Sequence, residues 1–244
     1  AFGIGDVSGK GVPAAMVMAV IHSMFRMASA HENNPARIMQ TINETASEGN
    51  ESNMFVTLFI GILDLPTGRL RYCNAGHDVP VIVGYGALPA KANLPVGLFG
   101  DFTYEMQELV LEGGSTPFLY TDGVPEAKNS SHDLFGLERM MTALDCFANL
   151  PPKQLLEKVT DEVHAFVEDA EQSDDLTMLA FRYSPVVHDL TLDEELTLQN
   201  DVRQVRQLND FVKQVMSQLG IEPSLAKKLR LAVEEAVVNV IDYA

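Results

Sequence analysis

Phe55-Val56-Thr57-Leu58-Phe59-Ile60-Gly61-Ile62-Leu63-Asp64-Leu65-Pro66-Thr67-Gly68-Arg69-Leu70-Arg71-Tyr72-Cys73 is the stretch that decides the fold. Two apolar, β-rich runs, Phe55–Leu63 and Leu70–Cys73, flank a turn segment that ends in Pro66-Thr67-Gly68, which predicts a β-hairpin. N-terminal to it the period is helical over Val12–Ala30 and again over Pro35–Ser47. Pro13 falls in the first turn of the first helix, where its missing N–H is harmless. Before these helices a short strand, Ala1–Val7, runs into the turn Ser8-Gly9-Lys10-Gly11. C-terminal to the hairpin, strands are expected near Val79–Val83, Tyr104–Leu111 and Pro117–Tyr120, helices near Leu134–Leu144 and Pro151–Val167, and a closing strand over Leu176–Tyr183.

The texture shifts after Ser184-Pro185. His188–Leu192 reads as a strand, and apolar residues spaced by three and four over Val202–Leu219 read as an amphipathic helix capped by Gly220. A second helix starts near Pro223, and the expected domains are residues 1–184 and 186–244. The 244 residues carry 34 acidic and 17 basic side chains, a formal charge of −17. That balance argues against nucleic acid, which needs clustered Lys and Arg, and against docking on anionic lipid. Cys73 and Cys146 are far apart, with neither metal-type spacing nor a disulfide framework. The greasiest stretch, Val12–Ala28, contains His22 and Arg26 and reads as too short to span a bilayer. With no basic leader before Ala1, the expected location is the cytoplasm, and the lack of an initiator Met suggests a piece of a longer chain.

Chemistry concentrates in aspartates at strand ends. Asp6 lies in Gly5-Asp6-Val7-Ser8-Gly9-Lys10-Gly11, where small residues leave room for an ion or phosphate near the backbone. A Walker loop would need Gly in place of Ile4 and Ser or Thr in place of Gly11, and a dinucleotide fingerprint would need Gly in place of Ser8. Asp122 follows an apolar strand in Leu119-Tyr120-Thr121-Asp122-Gly123, and Asp174-Asp175 stand directly before another. Each taken alone is compatible with a plain turn or a solvated loop. Together, oxygen ligands without nearby His or Cys favour Mg or Mn over Zn.

These segments, in order, resemble the metal-dependent PPM (protein phosphatase 2C-like) serine/threonine phosphatases of the bacterial SpoIIE type. The match runs from Gly5 to Arg182 and includes Gly5–Gly11 with Ala14-Ala15, Met54-Phe55-Val56-Thr57-Leu58-Phe59, and Gly68-Arg69-Leu70-Arg71-Tyr72-Cys73-Asn74-Ala75-Gly76-His77. Pro95-Val96-Gly97-Leu98-Phe99, Tyr120-Thr121-Asp122-Gly123 and Asp174-Asp175-Leu176-Thr177 complete it. The resemblance implies an α/β sandwich, two central, mainly antiparallel sheets flanked by helices, with two Mn or Mg ions between the sheets. It implies that Asp6 bridges the ions, that the Val7 backbone carbonyl helps hold one, and that Asp122 and Asp174 are further ligands, Asp174 being preferred to Asp175. The implied reaction is in-line attack on phosphorus by a hydroxide generated on the metals, without a protein nucleophile. Asn74 and His77 are expected to shape a turn rather than to contact substrate. The family also carries an aspartate on a strand upstream of Asp6, so weak or no phosphatase activity is expected of these 244 residues by themselves.

The tail reads Leu229-Arg230-Leu231-Ala232-Val233-Glu234-Glu235-Ala236-Val237-Val238-Asn239, with Glu235 and Asn239 four apart and so on one helix face. This segment resembles the start of a GHKL (histidine-kinase-like) ATPase domain of the anti-sigma-factor kinases. The resemblance implies Glu235 as general base and Asn239 as the residue holding the Mg of bound ATP, while that family's glycine-rich nucleotide boxes are not within the chain. The whole is expected to be a phosphoserine/phosphothreonine phosphatase joined to a kinase module, acting on a phosphorylated STAS-domain anti-anti-sigma protein in a partner-switching circuit around a sigma factor. A catalytically inactive binding module of the same fold is the alternative, and a nucleotide-binding oxidoreductase fails on the glycine spacing.

Overall fold

The computed structural model describes residues 1–48, 50, 53–170, 174–185, 195–197 and 204–243. The chain divides into two compact units, Ala1–Val186 and Val187–Ala244. In the first unit, β1 (Phe2–Val7), α1 (Val12–Ser29), α2 (Pro35–Ser47), β2 (Val56–Leu63) and β3 (Arg69–Ala75) are followed by β4 (Val81–Ile82) and β5 (Gly86–Ala87). Then come β6 (Gln107–Val110), β7 (Pro117–Tyr120), α3 (Gly136–Cys146), α4 (Pro152–Val167) and β8 (Met178–Ala180). The strands form two four-stranded sheets, β1-β2-β3-β6 and β5-β4-β7-β8, and neighbouring strands within each sheet pair antiparallel.

The period-two alternation of each strand sorts its side chains between two cores. On β2, Val56, Leu58 and Ile60 join Ile21, Ile38, Met39 and Ile42 under α1 and α2, while Phe59 faces the other way. There it meets Ile4, Leu70, Tyr72, Leu119 and Tyr183, a core contributed by both sheets. A third core places Phe118 and Tyr120 of β7 against Met140, Leu144, Leu155 and Val159 of α3 and α4. The order is therefore helices, sheet, sheet, helices, as expected. Phe59 stacks on Tyr72 at 5.6 Å between ring centroids, and Phe2 meets Phe181 edge-on at 5.0 Å, bridging the two sheets.

The hairpin forms as read, with Gly68 at φ +70 and its N–H bonded to the Asp64 carbonyl at 2.9 Å. A Cβ at Gly68 would lie 2.5 Å from the Leu111 carbonyl oxygen, so the turn admits no side chain. Tyr183 reaches across to donate its hydroxyl to the Leu65 carbonyl at 2.9 Å. Asn34 caps α2 by accepting from the N–H groups of Ala36 and Arg37.

The expected strands at Val79–Val83, Tyr104–Leu111 and Leu176–Tyr183 shorten to β4, β6 and β8, because sequence runs of apolar residues continue past the last ladder bond. The two-residue strand β5 carried no period to read. By length and composition α1 is apolar enough to cross a membrane, contrary to the expectation from sequence. In the fold it packs on α2 and β1, and leaves Val12, Met16, Val20 and Met27 exposed. The second unit contains α5 (Val205–Gln218) and α6 (Pro223–Tyr243), which pack together. The expected strand His188–Leu192 lies outside the described residues.

Because Phe59 closes the inter-sheet core at 1% exposure, Phe59→Ala is expected to cost about 3–5 kcal/mol. For a domain of this size that lowers Tm by roughly 6–20 °C, measured by thermal denaturation followed by circular dichroism.

Candidate active site

The acidic residues singled out in the sequence line one cleft, Asp6 from the end of β1, Asp122 from just beyond β7, and Asp174 and Asp175 from the segment before β8. Asp6 shares the inter-sheet face of β1 with Ile4, at the register position opposite Thr57 of β2. The turn that follows is pinned from both sides: Ser8 donates its N–H to the Phe55 carbonyl and accepts the Phe55 N–H on Oγ, both at 2.8 Å. Gly9 and Gly11, at φ +104 and +80, then turn the chain into α1. Val7 itself points into the helix-side core, so only its backbone is available to the cleft.

Asp122 leaves β7 in a tight turn in which the Glu126 N–H bonds to the Asp122 carbonyl at 2.8 Å. The segment before β8 is laid directly over that turn. Thr121 N–H donates to the Thr177 carbonyl at 3.1 Å, and a Cβ on Gly123 would lie 2.2 Å from the Asp175 carbonyl oxygen. Gly123 is thus what lets Asp174 and Asp175 approach Asp122. Asp174 Oδ1 accepts the Asp175 N–H at 3.0 Å and lies 3.7 Å from Lys10 Nζ.

These residues line an open cleft of about 1120 Å³, with Asp6, Asp78, Asp122, Glu126, Asp174 and Asp175 all contributing to its wall. Lys10 is its one cationic lining residue among those described. The crowding shows in the electrostatics. Burial, then the charges of Asp122, Asp174 and Asp175, raise the Asp6 carboxyl above its ordinary value, against a lowering from the Val7 backbone. Burial, then Asp122, Glu126 and Asp6, push Asp78 up to about 6. Like charges gathered this way favour a bound cation.

The donor set is wholly hard oxygen, as Mg or Mn prefer. Among the described residues no three His, Cys, Asp or Glu side chains form a ready chelating cluster. An ion that keeps part of its water shell, as Mg²⁺ habitually does, needs fewer protein ligands than a closed chelate supplies.

Asp78 was not legible as a site residue, because it follows His77 in a turn with no strand-end signature. His77 and Asn74 do shape that turn: the His77 N–H donates to Asn74 Oδ1 at 2.8 Å, and Asn74 Nδ2 donates to the His77 carbonyl at 2.9 Å. The His77 ring is buried, with Nδ1 3.0 Å from Thr57 Oγ1, and burial pulls its pKa down to about 4, opposed by the Tyr120 backbone. In the second unit, Glu234 accepts from Asn209 Nδ2 at 3.0 Å, whereas Glu235 is exposed. Asn239 lies one turn further along α6, and its side chain is outside the described set.

Two antiparallel sheets between helix pairs, with strand-end aspartates meeting in a cleft between them, define the PPM, or PP2C-like, class of phosphatase folds. Residues 1–184 match the family Stage II sporulation protein E (SpoIIE), and the chain belongs to it. Residues 198–244 match the histidine kinase-like ATPase domain. Protein IcfG of Synechocystis sp. is 31% identical over 208 residues, covering 72% of this chain and 32% of its own length. Phosphoserine phosphatase RsbU of Bacillus subtilis is 26% identical over 188 residues, covering 73% of this chain and 54% of its own. The chain thus spans between a third and about half of these relatives. The crystal structure of the RsbU and RsbW domains of Rv1364c from Mycobacterium tuberculosis is similar, 22% identical with a TM-score of 0.60, in a match that covers 99% of this chain and 67% of that one.

The Asp78 carboxyl keeps its proton up to about pH 6 in the folded chain, against an ordinary value of 3.8. The folded state therefore binds more protons in that window, and this group's contribution to stability falls as pH rises through it. Asp78→Asn removes the penalty. In EDTA its Tm should match wild type near pH 4 and exceed it above pH 6, and adding Mn²⁺ should narrow the gap. Equal melting curves across the window would refute the repulsion at Asp78.

Proposed function

We propose that this chain is a metal-dependent phosphoserine/phosphothreonine protein phosphatase. Its substrate is a phosphorylated STAS-type anti-anti-sigma protein in a cytoplasmic partner-switching circuit that controls a sigma factor. The observation that carries the catalytic part is the convergence of Asp6, Asp122 and Asp174, from strand ends of both sheets, on one open acidic cleft. The similarity to RsbU, a phosphoserine phosphatase, supports the substrate class.

Asp6, Asp122 and Asp174, with the Val7 carbonyl, would hold two Mn or Mg ions. When bound, such ions supply Lewis acidity at phosphorus and a water acidic enough to attack at neutral pH. The chain's own work is placement. The β1–β2 register holds Asp6 at the mouth of the inter-sheet space, and Gly123 seats the Asp174 segment beside Asp122. Among the described lining residues the carboxylates outnumber Lys10, so the cleft repels a phosphate dianion until cations are bound. Substrate binding is thereby made conditional on metal. An open cleft admits a phosphoserine presented on a folded protein surface, where an enclosed pocket would admit only a small molecule.

Residues 198–244 we read as the opening of an ATPase module that uses ATP-Mg, with Glu235 as its general base and Asn239 toward the Mg. Exposure of Glu235 leaves it available for that role, whereas Glu234 is held by Asn209.

Phosphate release from a phosphoserine STAS protein, assayed with Mn²⁺ on the full-length protein, is expected to fall roughly 100-fold or more in Asp122→Ala. An alanine variant as fast as wild type would remove Asp122 from the site.

A further inference from the structure

His77 is a buried polar group that the turn alone does not explain. Its backbone makes the turn, through Asn74 on both sides. Its ring does something else. Nδ1 lies 3.0 Å from Thr57 Oγ1, and that hydroxyl also reaches the Asp6 carbonyl at 3.4 Å. Thr57 is the register partner of Asp6, so the imidazole is one residue removed from a carboxylate that would hold metal. On its other side the ring feels the backbone of Tyr120, two residues before Asp122. One side chain from the β3–β4 turn thus stands between the strand ends that carry the two aspartates.

Two further features hold it there. Gly76 adopts φ +70 and is packed so closely that a Cβ would meet Pro95 at 2.7 Å, which fixes the approach of the following residue. The ring is 5% exposed, and its Nε2 is buried with no hydrogen-bond partner of normal geometry. A buried imidazole carries two polar edges into the core, where an apolar ring of the same shape would carry none. The ring is also neutral at working pH, since burial holds its pKa near 4, so it is not a counter-charge for the carboxylates.

We infer that His77 is a positioning residue, whose ring nitrogen fixes the Thr57 hydroxyl and, through it, the placement of Asp6 against Asp122. This rests on the metal-dependent reading proposed above. The chemistry is that of an outer-shell partner, which orients a metal-binding carboxylate without touching the ion, and losing such partners typically weakens metal affinity about 10–100-fold.

The test is Mn²⁺ binding to metal-stripped protein by isothermal titration calorimetry, with melting curves in EDTA alongside. His77→Phe keeps a ring and removes both nitrogens, while Thr57→Val keeps the shape and removes the hydroxyl. Each is expected to weaken Mn²⁺ binding about 10–100-fold, while still melting in EDTA as a single cooperative transition. His77→Asn, which can still bond Thr57, and Thr57→Ser are expected to stay within about threefold of wild type. The double variant His77→Phe/Thr57→Val should be no worse than the weaker single one, because both cut the same link. Wild-type Mn²⁺ affinity in His77→Phe and Thr57→Val, or affinity losses in the two that simply add, would overturn the inference. If His77→Phe fails to fold, Thr57→Val against Thr57→Ser decides it. A wild-type protein that binds Mn²⁺ but releases no phosphate would instead count against the phosphatase reading and leave the positioning role standing.

Discussion

Like charge held close together is the constraint on which the site depends. Asp6 from one sheet feels Asp122, Asp174 and Asp175 from the other, and Asp78 feels Asp122, Glu126 and Asp6. A fold gathers carboxylates in this way only if something else holds the sheets together. Here that is the apolar core of Ile4, Phe59, Tyr72, Leu119 and Tyr183, reinforced by the Phe2–Phe181 contact and the Tyr183–Leu65 hydrogen bond. The repulsion at the open end is offset by burial behind it. The same repulsion would favour bound cations, because each ion would relieve strain between charges the fold has already placed.

Backbone geometry makes that placement tight. Alternation along β1 puts Ile4 and Asp6 on one face, so the strand that contributes to the inter-sheet core also aims a carboxylate at its rim. Glycine is required where two backbones must nearly touch: a side chain at Gly123 would collide with the Asp175 carbonyl, and one at Gly76 with Pro95. The positions of Asp122, Asp174 and His77 are thus set by residues that carry no functional group.

Much of this was legible in the sequence. The hairpin between Leu63 and Arg69, the helix Pro35–Ser47 and the strand Pro117–Tyr120 follow from local turn chemistry and period, and they fall where those signals put them. Asp6, Asp122 and Asp174 stood out because each sits at a strand end beside a glycine or a second carboxylate, and the structure brings all three to one cleft. Asp78 had no such mark. It reaches the cleft only because β3 pairs with β2 and its closing turn swings beside β7, a long-range consequence of sheet order. The Thr57–His77 contact was hidden for the same reason, since twenty residues separate its partners. Short strands such as β4 and β5 were blurred because two residues cannot show a period. The apolar character of α1 was underread, because His22 and Arg26 interrupt a stretch that is greasy enough overall.

The most direct test of the account is a calorimetric titration of the metal-stripped protein with Mn²⁺ at neutral pH, set beside Asp6→Asn. The account predicts saturable binding of two ions by the wild type and loss of at least one of them in the variant, where the carboxylate between the sheets has become an amide. Identical isotherms for the two proteins, or no saturable binding by the wild type, would contradict it.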